Sequence, residues 1–242
     1  MSPSIPPLSP TWIKYPDSDG KPMADNTIQY EWIVTIKGNL DELDLDGQDV
    51  FVAGDLFWYP VEGDPNTRAA PDVMVAIGRP KGHRYSYLQW DEGGIPPQVV
   101  FEILSPGNRA GEMTRKRRFY ERFGVEEYYV YDPARDRLEV WIREGDRLAE
   151  QSAETGWVSP RLGIRFDTQA SPLIIRRPNG TPFESFHESQ AGKEEAIRER
   201  DAIAEQRDAI AEQRDAAIEL ARDEAEKRRR LEARLRELGI EP

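Results

Sequence analysis

Short apolar runs separated by polar segments fill the chain up to about residue 186, and they predict the strands of a sheet. Two of these runs, 71–77 and 98–104, are apolar on both alternating sets of positions, which is typical of strands covered on both faces. The remaining strands are predicted at 49–60 (one strand, or two short ones broken near Gly54), 127–131 and 137–144, with a further hairpin reaching Phe166.

A first helix is predicted at 26–43, where Asp25 or Asn26 would cap its N-terminus. Its apolar stripe is expected to consist of Tyr30, Ile33, Val34 and Lys37. The segment before it, 1–25, is rich in proline, which disfavours regular helix, so we expect irregular structure there.

A second, amphipathic helix is predicted at 110–123, and Gly124 is a suitable residue to end it. It connects the strands at 98–104 and 127–131. Strands joined in this way form a right-handed crossover and are parallel, whereas the hairpins on either side add antiparallel strands. The fold class is therefore α/β, or α+β by a stricter definition, with a mixed sheet. The loop at 78–97 is long for a compact domain, and such loops are often functional.

The C-terminal part of the chain is very polar and repeats itself with a period of seven residues. The sequence of 200–206 recurs at 207–213, and 193–238 contains neither glycine nor proline, so a long helix is predicted. A seven-residue period is typical of a coiled coil, with Ile203 and Ile210 on one heptad position.

The apolar stripe of this helix is thin, so a solvated single helix stabilised by charge pairs is the alternative to a coiled coil. We expect three parts: an irregular segment at 1–25, a domain at 26–186, and a charged helical tail at 187–242. The tail offers a route to a homo-oligomer.

Composition narrows the possible chemistry. The chain has 242 residues, a formal net charge of -12, no cysteine, and two histidines, so disulfides, thiolate zinc sites and histidine-rich metal sites are excluded. Global acidity argues against binding nucleic acid through the whole surface, but it allows a local basic groove.

No apolar run approaches the roughly 20 residues that span a bilayer, and no signal peptide is recognisable. We expect a cytoplasmic protein without a membrane partner.

Two acidic residues stand at unusual positions in the buried strands. Glu102 lies inside the run Val-Val-Phe-Glu-Ile-Leu, and a carboxylate leaves water only when it is paired or bound to a metal. An edge strand with Glu102 facing solvent is the alternative. Asp72 begins the other apolar strand, although Pro-Asp is also a common turn ending. Together, Asp72 and Glu102 offer the hard oxygen ligands that suit Mg²⁺ or Mn²⁺.

Lys116 lies on the apolar side of the second predicted helix. It shares that side with Met113, Tyr120 and Phe123. Lysine is rare at such positions unless it is paired, although a snorkelling side chain is the alternative. We expect its ammonium to meet Asp72 and Glu102, where it would stabilise developing charge or orient water. Two carboxylates and a lysine indicate metal-assisted cleavage of a phosphodiester.

Basic residues cluster around this lysine, and six of them lie between positions 109 and 122. We regard four of these as candidate phosphate-binding residues: Arg109, Arg115, Arg118 and Arg122. An ordinary charged helix face is the alternative. Two further acids are weaker candidates for supporting positions near the site: Asp55 and Glu31.

The order of these motifs carries a family resemblance. The motifs are Pro-Asp-Val-Met-Val at 71–75, Val-Val-Phe-Glu-Ile-Leu-Ser-Pro at 99–106, Lys116, and Phe-Tyr-Glu-Arg-Phe-Gly-Val-Glu-Glu-Tyr-Tyr-Val-Tyr-Asp-Pro at 119–133. The chain from about residue 25 to residue 183 resembles the Uma-two family of restriction endonucleases, which belongs to the PD-(D/E)XK nuclease superfamily.

The resemblance implies a restriction-endonuclease-like domain, with a mixed central sheet flanked by helices, that cleaves DNA with Mg²⁺ or Mn²⁺. It implies that Asp72 and Glu102 bind the metal, and that Lys116 is the active-site lysine, moved from the strand to the following helix. The usual Glu-X-Lys motif would place lysine at 104, where this chain has Leu104. The alternative is a catalytically inactive nucleic-acid-binding or coiled-coil assembly protein that keeps the nuclease fold.

Overall fold

The structure is a computed structural model that describes residues 14–18, 20, 24–108 and 110–237. Most of the irregular segment predicted at 1–25, and Arg109, lie outside the described residues. The chain divides into two compact units, Met1–Phe186 and His187–Pro242. The helices are α1 (Thr27–Asp41), α2 (Ala110–Phe123) and α3 (Phe186–Glu237).

The strands of the first unit form three sheets. They are β1 (Val50–Gly54), β2 (Trp58–Tyr59), β3 (Val73–Ile77), β4 (Tyr87–Leu88), β5 (Val99–Ile103), β6 (Glu127–Asp132), β7 (Arg137–Glu144), β8 (Arg147–Gln151), β9 (Trp157–Val158), β10 (Arg165–Asp167) and β11 (Ile174–Arg176). The main sheet has six strands in the order β1-β3-β5-β6-β7-β8. β5 and β6 are parallel and joined through α2, while the other neighbours are antiparallel. The mixed sheet and the parallel pair predicted from the sequence are confirmed.

The main sheet is covered on both faces. One face packs against α1 and the small sheet β9-β10-β11, and we call it the α1 face. The other packs against α2 and the short parallel pair β2-β4, and we call it the α2 face. This double coverage explains why the central strands are apolar on both alternating sets of positions.

α1 begins where the sequence indicates, but it buries a different stripe. Asn26 is the N-cap, and its Oδ1 accepts a hydrogen bond of 2.9 Å from the backbone N–H of Gln29. The predicted stripe is wrong at Tyr30, which is 52% exposed. The buried positions of α1 are Gln29, Ile33, Ile36, Asn39 and Leu40. Gln29 can be buried because its side chain finds backbone hydrogen-bond partners.

Of the two alternatives for 49–60, the structure contains two strands, β1 and β2. The chain leaves the main sheet at Asp55, whose φ of 47° lies in the left-handed region. The long loop that follows β3 contains the short strand β4, and it buries Glu92 between the guanidinium groups of Arg79 and Arg84. This ion cluster stabilises the loop from within.

The C-terminal unit contains the predicted long helix, α3, whose side chains are largely exposed. Ile203 and Ile210 are among its exposed apolar residues. Four ion pairs at i,i+4 spacing lie along it: Arg198–Glu194, Lys227–Asp223, Arg228–Glu232 and Arg230–Glu226. Within the described residues, no helix has the length and apolar character needed to cross a membrane.

Candidate active site

The register of the main sheet brings two acids side by side on the α2 face. β3 pairs with β5 so that Val73 lies opposite Phe101. Continuing this antiparallel register by one residue places Asp72 opposite Glu102. Like charges directly opposite each other on adjacent strands are unfavourable, so a nearby positive charge is needed to stabilise this pair.

Asp72 is held at the end of β3 with little access to solvent. It is 9% exposed, and its Oδ2 accepts a hydrogen bond of 2.7 Å from the backbone N–H of Ile103. Burial and the charge of Glu102 raise the pKa of Asp72 to about 8, against the opposing influence of Lys116. Asp72 therefore holds a proton over much of the neutral pH range unless a further cation lies beside it.

Glu102 lies in the middle of the sheet and is 2% exposed. Its Oε2 lies 2.6 Å from the Nζ of Lys116, and its Oε1 accepts a hydrogen bond of 2.5 Å from the Oη of Tyr120. Because both carboxylate oxygens contact side chains of α2, the helix fixes the orientation of this acid. The edge-strand alternative, with Glu102 facing solvent, is wrong.

Lys116 extends from α2 toward the sheet, and its side chain keeps 23% of its exposure. Its Nζ also donates to the carbonyl oxygen of Ala70 at 3.4 Å. Burial lowers the pKa of Lys116, but the nearby carboxylates of Glu102 and Asp72 more than offset this effect, so the net shift is upward. The ammonium stays charged beside the two acids. The structure brings the three predicted residues together, and their catalytic roles stay predictions.

Tyr120 is a site residue that the sequence interpretation placed only in the apolar stripe. Its ring is fully buried and its hydroxyl donates to Glu102. Burial, followed by the charge of Glu102, raises the pKa of Tyr120 well above its usual value, so it remains a donor. The available signal was its spacing, because Tyr120 lies one helical turn after Lys116 and shares its side of α2.

The supporting acids predicted from the sequence lie in different surroundings. Asp55 is exposed, but its backbone N–H donates to the carbonyl oxygen of Pro71 at 3.1 Å, and its charge contributes to the raised pKa of Asp72. Glu31 is exposed on α1. The residue of α1 that reaches the site strands is Gln29, whose Nε2 donates to the carbonyl oxygen of Ile103 at 2.8 Å.

The predicted phosphate-binding arginines that can be placed lie on the outer side of α2. They are Arg115, Arg118 and Arg122, and all three are exposed. The inward lysine and outward arginines therefore occupy different sides of one helix, as the spacing predicts. Whether these arginines bind nucleic acid stays a prediction.

The acid pair fits a hard divalent cation. Within the part of the chain that the structure describes, no group of three or more His, Cys, Asp or Glu side chains is arranged to hold a metal ion. Magnesium, however, is commonly held by one or two carboxylates together with water and substrate phosphates. Burial and the neighbouring charge of Glu102 raise the pKa of Asp72, and a bound cation would oppose that shift. Asp72 and Glu102 are thus the residues that would hold the ion.

A mixed sheet with two adjacent acids and a lysine on the crossover helix is the arrangement that the sequence resemblance implies. Residues 20–171 match the model of the family described as “Uma2: Putative restriction endonuclease”. The chain belongs to this family, whose description makes it a nuclease family.

One solved structure that is similar to this chain is the crystal structure of an Anabaena variabilis protein described as a “putative nuclease belonging to DUF820”. The two chains share 15% sequence identity with a TM-score of 0.43, over 56% of this chain and 73% of the other. No curated protein matches this sequence.

Proposed function

We propose that this protein is a metal-dependent endonuclease that hydrolyses phosphodiester bonds of DNA. The observation that carries the proposal is the contact of 2.6 Å between the Lys116 ammonium and Glu102, beside Asp72 on the same face of the sheet. A structural ion pair does not require a second buried acid next to it, whereas a metal-dependent phosphodiesterase does.

Each site residue has a distinct part in this proposal. Asp72 and Glu102 would hold Mg²⁺ or Mn²⁺, and the bound ion would polarise the scissile phosphate and lower the pKa of water. Lys116 stabilises the charge that develops on the phosphate. Tyr120 and the backbone N–H of Ile103 keep the two carboxylates oriented. The exposed arginines of α2 contact the phosphates on either side.

The test is cleavage of supercoiled plasmid in the presence of Mg²⁺. Glu102→Gln and Lys116→Met should each reduce the rate by about a hundredfold or more, as expected when a group acting on the transition state is removed. Glu150→Gln is the matched control, because Glu150 is exposed on β8. Equal rates for wild type and Glu102→Gln would contradict the proposal, and so would an inert wild-type protein.

A catalytically inactive nucleic-acid-binding protein is the second candidate, and Leu104 is the observation that favours it. This side chain occupies the position of the superfamily's usual lysine. Such a protein would bind DNA to the same extent with Mg²⁺ or with EDTA and would leave the plasmid intact. Cleavage that depends on both Mg²⁺ and Glu102 rejects it.

We further propose that α3 joins two copies of the chain as a coiled coil. Its heptad repeat leaves Ile203 and Ile210 exposed at the same heptad position, 60% and 59% respectively. Ile203→Asn combined with Ile210→Asn should convert a dimer to a monomer, as measured by light scattering after gel filtration. Glu205→Gln and Glu212→Gln, each two residues after one of these isoleucines, provide the control. A wild-type monomer would show that α3 is a single solvated helix.

A further inference from the structure

A cleft of about 250 Å³ opens beside the acid pair, between α2 and the strands β6 and β7. Leu104, two residues after Glu102, forms part of its wall, and so does Arg117, the residue next to Lys116. Val130 also lines it and is the direct neighbour of Glu102 in the parallel register. The cleft is therefore one strand position away from the candidate catalytic groups.

Apolar and polar side chains both line the cleft. The guanidinium carbon of Arg117 lies over the Trp141 ring, 4.0 Å from its centroid. Leu104 and Met113 supply aliphatic surface beside it. Such a lining accepts a planar ring system better than a phosphate or a sugar.

The hydroxyl of Tyr128 distinguishes this cleft from a packing defect. Among the described residues, it is the buried side-chain polar atom that lacks a hydrogen-bond partner. The hydroxyls of Tyr120, Tyr129 and Tyr131 donate to Glu102, Glu127 and Asp136, respectively. An unsatisfied buried hydroxyl is unfavourable, and Tyr128 lines the cleft, so a ligand whose polar edge reached this hydroxyl would satisfy it.

A carboxylate provides a second polar group in the cleft. Glu139 lies opposite Val130 on β7 and lines the same cleft. Its partner in an ion pair, Arg137, is 3.4 Å away and mostly exposed, so the carboxylate can also accept hydrogen bonds from a ligand. The cleft thus offers a stacking platform, a hydroxyl and an acceptor.

We propose that this cleft binds one unpaired nucleobase of the strand that is cut, so that the substrate is DNA with single-stranded character at the cleavage point. The inference rests on the proposed nuclease function. A nucleobase has flat apolar faces for the Arg117–Trp141 stack and polar edges for Tyr128 and Glu139. A paired base has both faces stacked inside the duplex and cannot enter. The backbone of the same strand would pass the exposed arginines of α2.

The test measures binding in EDTA, where no cleavage occurs, by fluorescence anisotropy. The probes are a mixed-sequence single strand, an equally long strand of abasic nucleotides and a blunt duplex. The wild-type protein should bind the base-bearing strand roughly tenfold more tightly than the abasic strand, in line with the effect of stacking one base on an aromatic group. Tyr128→Phe and Trp141→Ala should each reduce this ratio and leave binding of the duplex unchanged.

Arg117→Gln and Arg118→Gln form a matched pair on neighbouring positions of α2. The first should weaken binding mainly to the base-bearing strand, and the second should weaken binding to both single strands alike, since Arg118 is exposed on the outer side. Tyr128→Phe should not lower the unfolding midpoint, because its hydroxyl has no partner to lose. If Trp141→Ala does not fold, Tyr128→Phe still tests the inference.

The inference would be overturned if Tyr128→Phe and Arg117→Gln lost affinity equally for the base-bearing and the abasic strand. It would also be overturned if neither variant lost affinity. The plasmid assay separates this result from the nuclease proposal. Mg²⁺-dependent cleavage without base-dependent binding rejects the cleft alone, whereas base-dependent binding with no cleavage of either the plasmid or the single strand in Mg²⁺ rejects the nuclease function and keeps the subsite.

Discussion

Two glutamates on neighbouring strands, Glu102 on β5 and Glu127 on β6, are both buried but have different surroundings. They are 2% and 1% exposed. Glu127 accepts hydrogen bonds from the Tyr129 hydroxyl at 2.7 Å, the Ser159 hydroxyl at 2.5 Å and the backbone N–H of Arg161 at 2.6 Å. Glu102 instead contacts an ammonium and lies beside another acid.

The difference shows that burial alone does not mark a functional carboxylate. Neutral donors satisfy Glu127, and two of them come from the loop between β9 and β10 of the small sheet, so this glutamate attaches that loop to β6. At Glu102, the Lys116 ammonium forms its ion pair with this acid, while burial and the charge of Glu102 raise the pKa of the neighbouring Asp72. A second acid within reach is therefore the more informative criterion.

The largest effect on stability is expected from Glu127→Ala. The change leaves two buried hydroxyls and one partly buried backbone N–H without their acceptor, and we expect a loss of about 3 kcal/mol in the free energy of unfolding. Urea unfolding followed by tryptophan fluorescence measures it, with Glu150→Ala on exposed β8 as the control. A loss below about 0.5 kcal/mol, the range of ordinary surface substitutions, would show that Glu127 does not attach the loop between β9 and β10 to β6.

A smaller loss is expected from Lys116→Met. Removing the ammonium leaves Glu102 and Asp72 buried without their cation. We expect the free energy of unfolding to fall by about 2 kcal/mol, less than for a fully buried pair because Lys116 is partly exposed. The comparison variant is Arg118→Met, on the outer side of α2 and exposed. If both changes had the same effect on urea unfolding at neutral pH, the acid pair would not depend on Lys116.

The smallest effect is a difference in pH dependence. Burial raises the pKa of Glu127 above its ordinary value of 4.5, despite its hydrogen bonds. The stabilising contribution of this group is fully present below pH 4.5 and decreases as the pH rises through its pKa in the folded protein. Wild type should therefore lose stability relative to Glu127→Gln as the pH is raised from 4.5 to 7, in urea titrations at each pH. A constant difference would contradict the raised pKa.

The sequence predicts the sheet well because its central strands are covered on both faces, and this coverage is visible as uninterrupted apolar runs. It predicts the Lys116 contact because a lysine within an apolar stripe requires a partner. The predicted apolar stripe of α1 misses the buried Gln29. Its burial depends on a hydrogen bond to the carbonyl oxygen of Ile103, which is distant in sequence.

Glu127 and Tyr120 show the same limit of local patterns. Glu127 begins an apolar strand much as Asp72 does, and its loop partners, Ser159 and Arg161, follow 32 and 34 residues later. In the sequence, Tyr120 is indistinguishable from the other apolar residues of its helix side. The spacing of residues along a helix does not show whether a hydroxyl has an acceptor. Long-range partners decide both cases.

The parallel β5-α2-β6 unit has a consequence for the order in which the site is assembled. Lys116 and Glu102 are separated by 14 residues, so their contact can form as soon as this crossover unit folds. Asp72 joins through a bond to Ile103, 31 residues away, and only once β3 has paired with β5. A partly folded chain would therefore contain the lysine–glutamate pair without the second acid, and the capacity to bind a metal would appear only with the completed sheet.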